Sequence, residues 1–180
     1  VVIGAGHAGL SISYCLKQHG LKHIVFERGR IGEAWRSQRW DSFVMNTPNK
    51  NNILPGQTYS GNDPEGFGSA KEFVSSLEEY SSKNQLPVVE QVQVISVEKP
   101  DGKKYFTISV SENGTIKNYQ SKQVIVTSGS QNEKKIPLFA KNISSDILQL
   151  HTTEYRSALQ LPEGAVLVTG SAQSGCQIAE

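Results

Sequence analysis

The sequence predicts an α/β fold in which a parallel sheet carries an inserted antiparallel β-meander. Two observations indicate the parallel sheet, because short apolar runs lead directly into glycine-rich turns at residues 1–9 and again at residues 166–175. A third observation indicates the meander, since alternating segments between residues 92 and 120 are separated by Asp-Gly and Asn-Gly, which favour hairpin turns. A chain of 180 residues has room for one domain and the beginning of another.

The first elements are predicted to be a strand, a helix and a second strand. Residues 1–3 are apolar and predict a buried strand, and residues 8–19 have the apolar spacing of a helix that ends near Gly20. Residues 24–26 predict the second strand. The long segment over residues 29–68 is rich in Asn, Pro and Gly but also contains aromatic side chains, and such long loops are usually functional.

The rest of the chain changes from helical to alternating spacing and then returns to buried-strand patterns. A helix is predicted at residues 69–84, and the three meander strands at residues 92–98, 103–110 and 115–120. A buried strand follows at residues 123–127, then an apolar segment at residues 148–151 and a last strand at residues 166–169. The predicted order is therefore that of an α/β domain whose parallel sheet is interrupted by a meander.

Composition excludes several classes of protein. The 18 Lys and Arg residues nearly balance 17 Asp and Glu residues, and a net charge of +1 argues against a nucleic-acid surface or a polybasic membrane surface. No apolar run has the length of a membrane-spanning helix. Cys15 and Cys176 form no metal-binding or redox motif, so no metal site is predicted, and each is expected to be a small buried side chain in a helix.

The first glycine turn has the pattern of a dinucleotide-binding site. Gly4 permits the tight turn, Gly6 lets a pyrophosphate approach the backbone, and Gly9 lets the helix pack against the strand. The N–H groups at the start of the helix face the phosphates. Glu27 ends the second strand, 18 residues after Gly9, where an acid accepts hydrogen bonds from a ribose. These residues predict a bound dinucleotide, either FAD or NAD.

The order of motifs along the chain resembles that of the flavin-containing monooxygenases. The resemblance rests on Glu27-Arg28, the stretch GRIGEAWRSQRW, the meander, QVIVTSGS and the second turn VTGSAQSG, and it covers essentially the whole chain. In this family the first turn binds FAD and the second binds NADPH. The resemblance therefore implies a Rossmann-like FAD-binding domain over residues 1–160 and the beginning of a Rossmann-like NAD(P)H-binding domain over residues 161–180.

The resemblance also implies a set of site residues. Asn46, in WDSFVMNTP, matches the family's active-site amide beside the flavin, and the alternative interpretation is an ordinary loop Asn before a Thr-Pro turn. Trp35 matches a position next to the flavin, with a core aromatic as its alternative. The expected FAD-binding residues are Gly4, Gly6, His7, Ala8, Gly9, Glu27, Arg28, Trp35, Arg36, Val94, Ser128 and Gly129. The expected NADPH-binding residues are Gly170, Ser171, Ala172, Gln173, Ser174 and Gly175.

The chain departs from the family pattern in two places. Ala172 replaces the middle glycine of the second turn, and its methyl group is expected to weaken or shift cofactor binding. Of the family signature F-x-G-x-x-x-H-x-x-x-[YW], His151 and Tyr155 are present, while Ser145 and Ile147 stand at the Phe and Gly positions. Tyr155 disfavours the Baeyer–Villiger branch, and His151 is expected to be structural rather than a proton donor.

The implied reaction is an oxygenation that uses both dinucleotides. By resemblance, NADPH reduces FAD, O2 adds to the flavin C4a, and the hydroperoxide oxygenates a small substrate at nitrogen, sulfur or a carbonyl. One alternative is a pyridine-nucleotide-disulfide reductase, which requires a cysteine pair that this chain lacks. The other is a non-catalytic NAD-binding sensor domain, which leaves the second turn without a role.

The expected partners are the small-molecule substrate and O2, without nucleic acid or a membrane segment. The expected location is the cytoplasm, although the chain begins inside a strand without Met, so a targeting segment remains an alternative. We interpret the chain as a fragment that is inactive by itself.

Overall fold

The computed structural model describes residues 1–130 and 133–180, which form a parallel sheet, a separate antiparallel sheet and helices beside them. The strands are β1 Val2–Ile3, β2 Val25–Phe26, β3 Val88–Val89, β4 Val92–Glu98, β5 Phe106–Glu112, β6 Thr115–Ser121 and β7 Ile125–Val126. The α-helices are α1 His7–Gln18, α2 Glu33–Ser37, α3 Ala70–Lys83 and α4 Gln173–Ala179. Short 3₁₀ turns lie at Asn49–Asn51, Leu138–Asn142 and Ala158–Gln160.

The parallel sheet has the strand order β3-β2-β1-β7. Val2 is opposite Val25 on one side and Ile125 on the other, and both Val2 and Val25 are fully buried. Continuous apolar strands of this kind are typical of a parallel sheet that is covered on both faces. Because β1, β2 and β7 run in the same direction, the residues that follow them meet at one edge of the sheet, which is where ligands bind in open α/β sheets.

Helices α1 and α3 pack beside this sheet through their apolar sides. α3 begins with a complete capping box, in which Ser69 accepts from the Glu72 N–H and the Glu72 carboxylate accepts from the Ser69 N–H. These hydrogen bonds from Ser69 hold the pKa of Glu72 below its usual value. Leu77 and Tyr80 of α3 are buried in the main core, and the Tyr80 hydroxyl donates to Pro55 O at 2.7 Å. The helix predicted over residues 69–84 is thus confirmed.

The antiparallel sheet confirms the predicted meander, with the order β4-β5-β6. The turn between β5 and β6 has positive φ angles at Asn113 (+50°) and Gly114 (+78°), as a two-residue hairpin requires. Ile108 and Val110 of β5 are fully buried and belong to a second core cluster that includes Phe26 of β2. The meander therefore packs against the carboxyl end of β2.

Three details differ from the sequence-based prediction. The strand expected at residues 166–169 is wrong, because those residues pair with no strand of the described chain, and Leu167 is 86% exposed. A parallel strand forms only when neighbours supply its hydrogen bonds. β3 was not predicted, since two residues after a proline give little periodic signal. Cys176 is exposed and Cys15 is half-buried, so the expectation that both are buried is wrong.

No helix in the described ranges is long and apolar enough to cross a membrane. Within those same ranges, no group of three or more His, Cys, Asp or Glu side chains could hold a metal ion.

Candidate dinucleotide-binding site

The first glycine turn joins β1 to α1 at the carboxyl edge of the sheet, and the backbone itself requires two of its glycines. Gly4 has a φ of +103°, and a Cβ there would lie 2.6 Å from Thr127 O. A Cβ on Gly9 would lie 1.8 Å from Gly4 O, so the helix could not approach the strand as closely. Gly4 and Gly9 therefore shape the turn, as the motif predicts.

Gly6 is different, because neither backbone conformation nor packing requires a glycine there. It is the N-cap of α1 with φ −84° and ψ −168°, which any residue can adopt. In the described chain, nothing lies within 4 Å of the position that a Cβ would occupy. Gly6 also has no side chain, so the N-cap residue satisfies none of the first N–H groups of this 12-residue helix. The turn has the room and the donors that a pyrophosphate needs.

The carboxylate of Glu27 is built into the base of this turn. Glu27 is 8% exposed, its Oε2 accepts from the Ala5 N–H at 2.7 Å, and its Oε1 accepts from the Gly29 N–H at 2.9 Å. Each carboxylate oxygen has a second acceptor position, so the group can also accept hydrogen bonds from ribose hydroxyls. Together with the open space at Gly6, this arrangement fits a bound dinucleotide.

Thr127 is a site residue that the sequence analysis missed. It follows β7, and its hydroxyl donates to Ile3 O at 2.8 Å and to Gly4 O at 3.0 Å. Ser128 comes next, and its Cα lies 3.3 Å from the position of a Cβ on Gly4. The end of the buried-strand pattern at Thr127, directly before Ser128, was the signal in the sequence that could have identified it. Ser128 therefore borders the first turn and Gly129 follows it directly. Both were predicted to bind FAD.

An aromatic cluster lies between α1, α2 and α3. The Trp35 ring is 5.0 Å from Phe73 and 5.8 Å from Phe43, and His7 stacks on Phe73 at 6.1 Å. Trp35 is partly buried against the main core, so one face of its ring packs as the alternative interpretation of a core aromatic predicts. Its other contact is the guanidinium of Arg39, 4.7 Å from the ring centroid, and burial lowers the pKa of that guanidinium.

A groove of about 490 Å³ opens between α2 and α3 beside this cluster, lined in part by Trp35, Arg36, Arg39 and Trp40. The Arg36 side chain pairs with Glu78 on α3. Among the buried side-chain polar atoms of the described residues, Trp40 Nε1 has no hydrogen-bond partner. A buried indole N–H without a hydrogen-bond partner is costly.

The remaining predicted FAD contacts are less closely grouped. Val94 lies on β4 and packs against the second core cluster, and β4 begins next to the first turn because the Val92 N–H donates to Glu27 O at 2.9 Å. Arg28 is exposed at the end of β2. His151 forms a local turn, in which its Nδ1 lies 2.9 Å from Thr153 Oγ1.

Asn46 lies on the loop segment that pairs with the residues just before α3. The Met45 N–H donates to Gly68 O at 2.8 Å, which fixes the backbone beside Asn46. The Asn46 side chain is exposed, and its Oδ1 accepts from Gln177 Nε2 of α4 at 3.0 Å. The tertiary structure thus brings the candidate catalytic amide next to the helix that follows the second turn. The sequence analysis did not identify Gln177.

The second turn repeats the backbone path of the first. Gly170 has a φ of +105°, and a Cβ on Gly175 would lie 1.9 Å from Gly170 O. Ala172, at the position of Gly6, is the N-cap of α4 with φ −80° and ψ 176°. Ser171, Gln173 and Ser174 complete the turn and are exposed.

Comparison with known proteins assigns the family. The family described as pyridine nucleotide-disulphide oxidoreductase matches residues 1–180, and the chain belongs to it. An uncharacterized oxidoreductase, CzcO-like, from Geobacillus kaustophilus is 41% identical over 180 residues, 99% of this chain and 49% of that protein. The chain therefore spans about half the length of this relative.

The solved structures agree with that assignment. A variant of the flavin monooxygenase from Stenotrophomonas maltophilia has a TM-score of 0.84 and 25% identity, covering 98% of this chain and 51% of that one. OTEMO, crystallised with FAD and NADP, has a TM-score of 0.67 at 18% identity, with 98% of this chain and 35% of that chain covered, and shows the shared fold. The resemblance to flavin monooxygenases and the Rossmann-like α/β fold are thereby confirmed, and the chain belongs to a family of flavin-dependent oxidoreductases.

Proposed function

We propose that this chain is the FAD-binding part, with the beginning of the NAD(P)H-binding part, of a flavin-dependent monooxygenase. One observation carries the proposal: the chain builds the same dinucleotide turn twice, in a fold that matches a flavin monooxygenase over 98% of its length. The division into residues 1–160 and 161–180 belongs to this proposal, as does a cytoplasmic location.

In this proposal FAD lies at the first turn. The pyrophosphate occupies the open space at Gly6 and accepts from the N–H groups at the start of α1, contributed by His7, Ala8 and Gly9. Glu27 accepts from the ribose, and its buried hydrogen bonds to Ala5 and Gly29 keep it oriented. Trp35 and the groove beside it support the remainder of the cofactor.

The second turn holds NADPH in the same manner, through the backbone of residues 170–175. OTEMO is described with both FAD and NADP, and this supports two cofactors on the shared fold. When bound at the two turns, NADPH would supply the reducing equivalents and FAD the O2-activating chemistry for oxygenating a nitrogen, sulfur or carbonyl centre.

Asn46 contributes a polar amide to that reaction. Its Oδ1 is engaged by Gln177, so its Nδ2 donors face outward and can hydrogen-bond to an oxygen atom at the reacting centre. An amide donor held in place in this way stabilises negative charge that develops on oxygen. This role is distinct from that of the turn residues, which bind and orient the cofactors.

The visible absorption spectrum of the whole purified protein tests the proposal first. We expect flavin absorbance, NADPH oxidation, and incorporation of one oxygen-18 atom from labelled O2 into an amine, sulfide or ketone probe. A colourless protein that cannot be reconstituted with FAD would refute it. Flavin with NADPH-dependent reduction of a disulfide, and no oxygen incorporation, would favour the disulfide reductase alternative.

Replacement of Asn46 by Ala tests the role of the amide. Flavin content and NADPH oxidation should remain, while the oxygenated product per NADPH falls roughly twofold to tenfold and peroxide release rises, since one hydrogen bond contributes about 0.5–1.5 kcal/mol. Product and peroxide are measured together by mass spectrometry and a peroxide assay. Asn51→Ala, an exposed Asn of the same loop, is the matched control. An unchanged product ratio removes Asn46 from the mechanism.

A further inference from the structure

Gln177 of α4 makes three side-chain hydrogen bonds to the loop segment that carries Asn46. Its Oε1 accepts from the Val44 N–H at 3.4 Å, and its Nε2 donates to Val44 O at 3.2 Å and to Asn46 Oδ1 at 3.0 Å. These partners are 131 to 133 residues away in sequence, so the contact is purely tertiary. Both Gln177 and its neighbour Ile178 are half-buried, and Ile178 packs against the main core.

The hydrogen-bonding groups determine which way each amide points. The Val44 N–H can only donate, so it must face the Gln177 carbonyl oxygen. The Gln177 NH2 group then faces Val44 O and the Asn46 side chain. Asn46 can accept a hydrogen bond from this NH2 group only through its side-chain oxygen, so its own NH2 group is left for another partner.

The opposite side of this segment is held independently of α4. The Met45 N–H donates to Gly68 O at 2.8 Å, and Val44 forms an antiparallel bridge with Ser69. The backbone around Asn46 therefore remains placed without Gln177. Gln177 adds two hydrogen bonds to the Val44 backbone, and it sets the direction of the Asn46 amide.

We infer that Gln177 is a positioning residue that orients the Asn46 amide with its NH2 group outward, and so links the helix of the second turn to the proposed reaction site. The inference rests on the proposed function for the role of Asn46, whereas the orientation itself rests on the contacts of Gln177. Any displacement of α4 relative to the loop is transmitted to Asn46 through this side chain.

The first experiment measures orientation and needs no turnover. The whole flavin-loaded protein is labelled with nitrogen-15 asparagine, and the Asn46 side-chain resonance is assigned by its loss in Asn46→Ala. In Gln177→Leu, we expect this resonance to move to the position of a solvated amide, because the Asn46 oxygen loses its donor. Cys176→Ala, at the neighbouring exposed helix position, is the control and should leave it unchanged. An Asn46 resonance that is identical in Gln177→Leu and parent overturns the inference.

The second experiment is a double-mutant cycle on the ratio of oxygenated product to NADPH consumed. Gln177→Leu should lower the ratio threefold to tenfold in the parent but not further in Asn46→Ala, because coupled residues are not additive. An equal loss in both backgrounds shows that Gln177 acts independently of Asn46 and overturns the inference.

Gln177→Glu tests the inference through the pH dependence of the ratio of oxygenated product to NADPH consumed. This pH dependence should not change if Gln177 only supports the fold. The carboxylate still accepts from the Val44 N–H but cannot donate to Asn46, so the ratio should fall at neutral pH. A protonated glutamic acid regains one O–H donor, one of the two that the amide NH2 group offers, so the ratio relative to parent should recover in part as the pH falls toward about 4–5. Failure to recover, with the fold intact, counts against the inference. If the parent makes no oxygenated product, the proposed function fails and the asparagine resonance alone decides the inference.

Discussion

The two glycine turns of this chain have almost the same backbone and very different surroundings. Gly4 and Gly170 have φ angles of +103° and +105°, and the N-cap residues Gly6 and Ala172 are both extended. In each turn the last glycine approaches the first so closely that a Cβ would lie 1.8 Å or 1.9 Å from its carbonyl oxygen. The path of the turn is therefore the same in both.

The difference lies in what surrounds each turn. The first turn follows a strand with neighbours on both sides, and Thr127 donates to its carbonyl groups. In the second turn, no described atom lies within 4 Å of a Cβ on Gly170, and Val166 and Leu167 before it are 63% and 86% exposed. A glycine turn thus takes its shape from local sequence, while the sheet supplies its stability.

Substitution of the last glycine of each turn should separate the contributions of local sequence and of the sheet most strongly. Gly9→Ala places a methyl group against backbone between β1 and α1, and we expect a loss of about 3 kcal/mol or more in the free energy of unfolding. Gly175→Ala has the same clash, but in this chain it should cost less than about 1 kcal/mol, because α4 makes few core contacts within residues 1–180. Urea unfolding of the 180-residue chain measures both. Equal losses of stability in the two variants would show that the sheet does not stabilise the first turn more than the second.

Gly6→Val should remove the flavin without unfolding the protein. The backbone at Gly6 accepts a side chain, and its Cβ meets no described atom, but the branched group fills the space proposed for the pyrophosphate. Bound flavin per protein should fall at least roughly tenfold, with the midpoint of urea unfolding in the FAD-free state unchanged. Unchanged flavin stoichiometry would mean that the cofactor binds elsewhere.

Thr127→Val should weaken the first turn by about 1 kcal/mol, since it removes a hydroxyl that donates to Ile3 O and Gly4 O while keeping the side-chain shape. The free energy of unfolding is the measurement, and Thr115→Val on the exposed end of β6 is the matched control. If the two variants are equally stable, the hydroxyl does not support the turn.

Ala172→Gly should have the smallest effect and should make the second turn more like the first. Removal of the methyl group opens the approach to the backbone, and we expect NADP⁺ to bind roughly twofold to fivefold more tightly. Calorimetric titration of the flavin-loaded protein gives the dissociation constant. Weaker binding would show that the methyl group contacts the nucleotide favourably.

The sequence by itself determined the elements whose signals are local. The two turns, helices α1 and α3 and the meander were predictable, because glycine spacing, helical periodicity and the Asn113-Gly114 turn act within a few residues. Glu27 was identified as a site residue by its distance from Gly9 along the chain. The roles proposed for these site residues stay predictions.

Only the tertiary structure decided the features that depend on partners far away in sequence. Residues 166–169 have the composition of a strand but no neighbouring strand among the residues that the structure describes, whereas Val88–Val89 forms one because β2 lies beside it. The hydrogen bonds of Thr127 to Gly4 and of Gln177 to Asn46 join residues more than 120 positions apart. A strand or a side-chain hydrogen bond needs a specific partner at the right distance, and no local pattern in the sequence specifies where that partner will be.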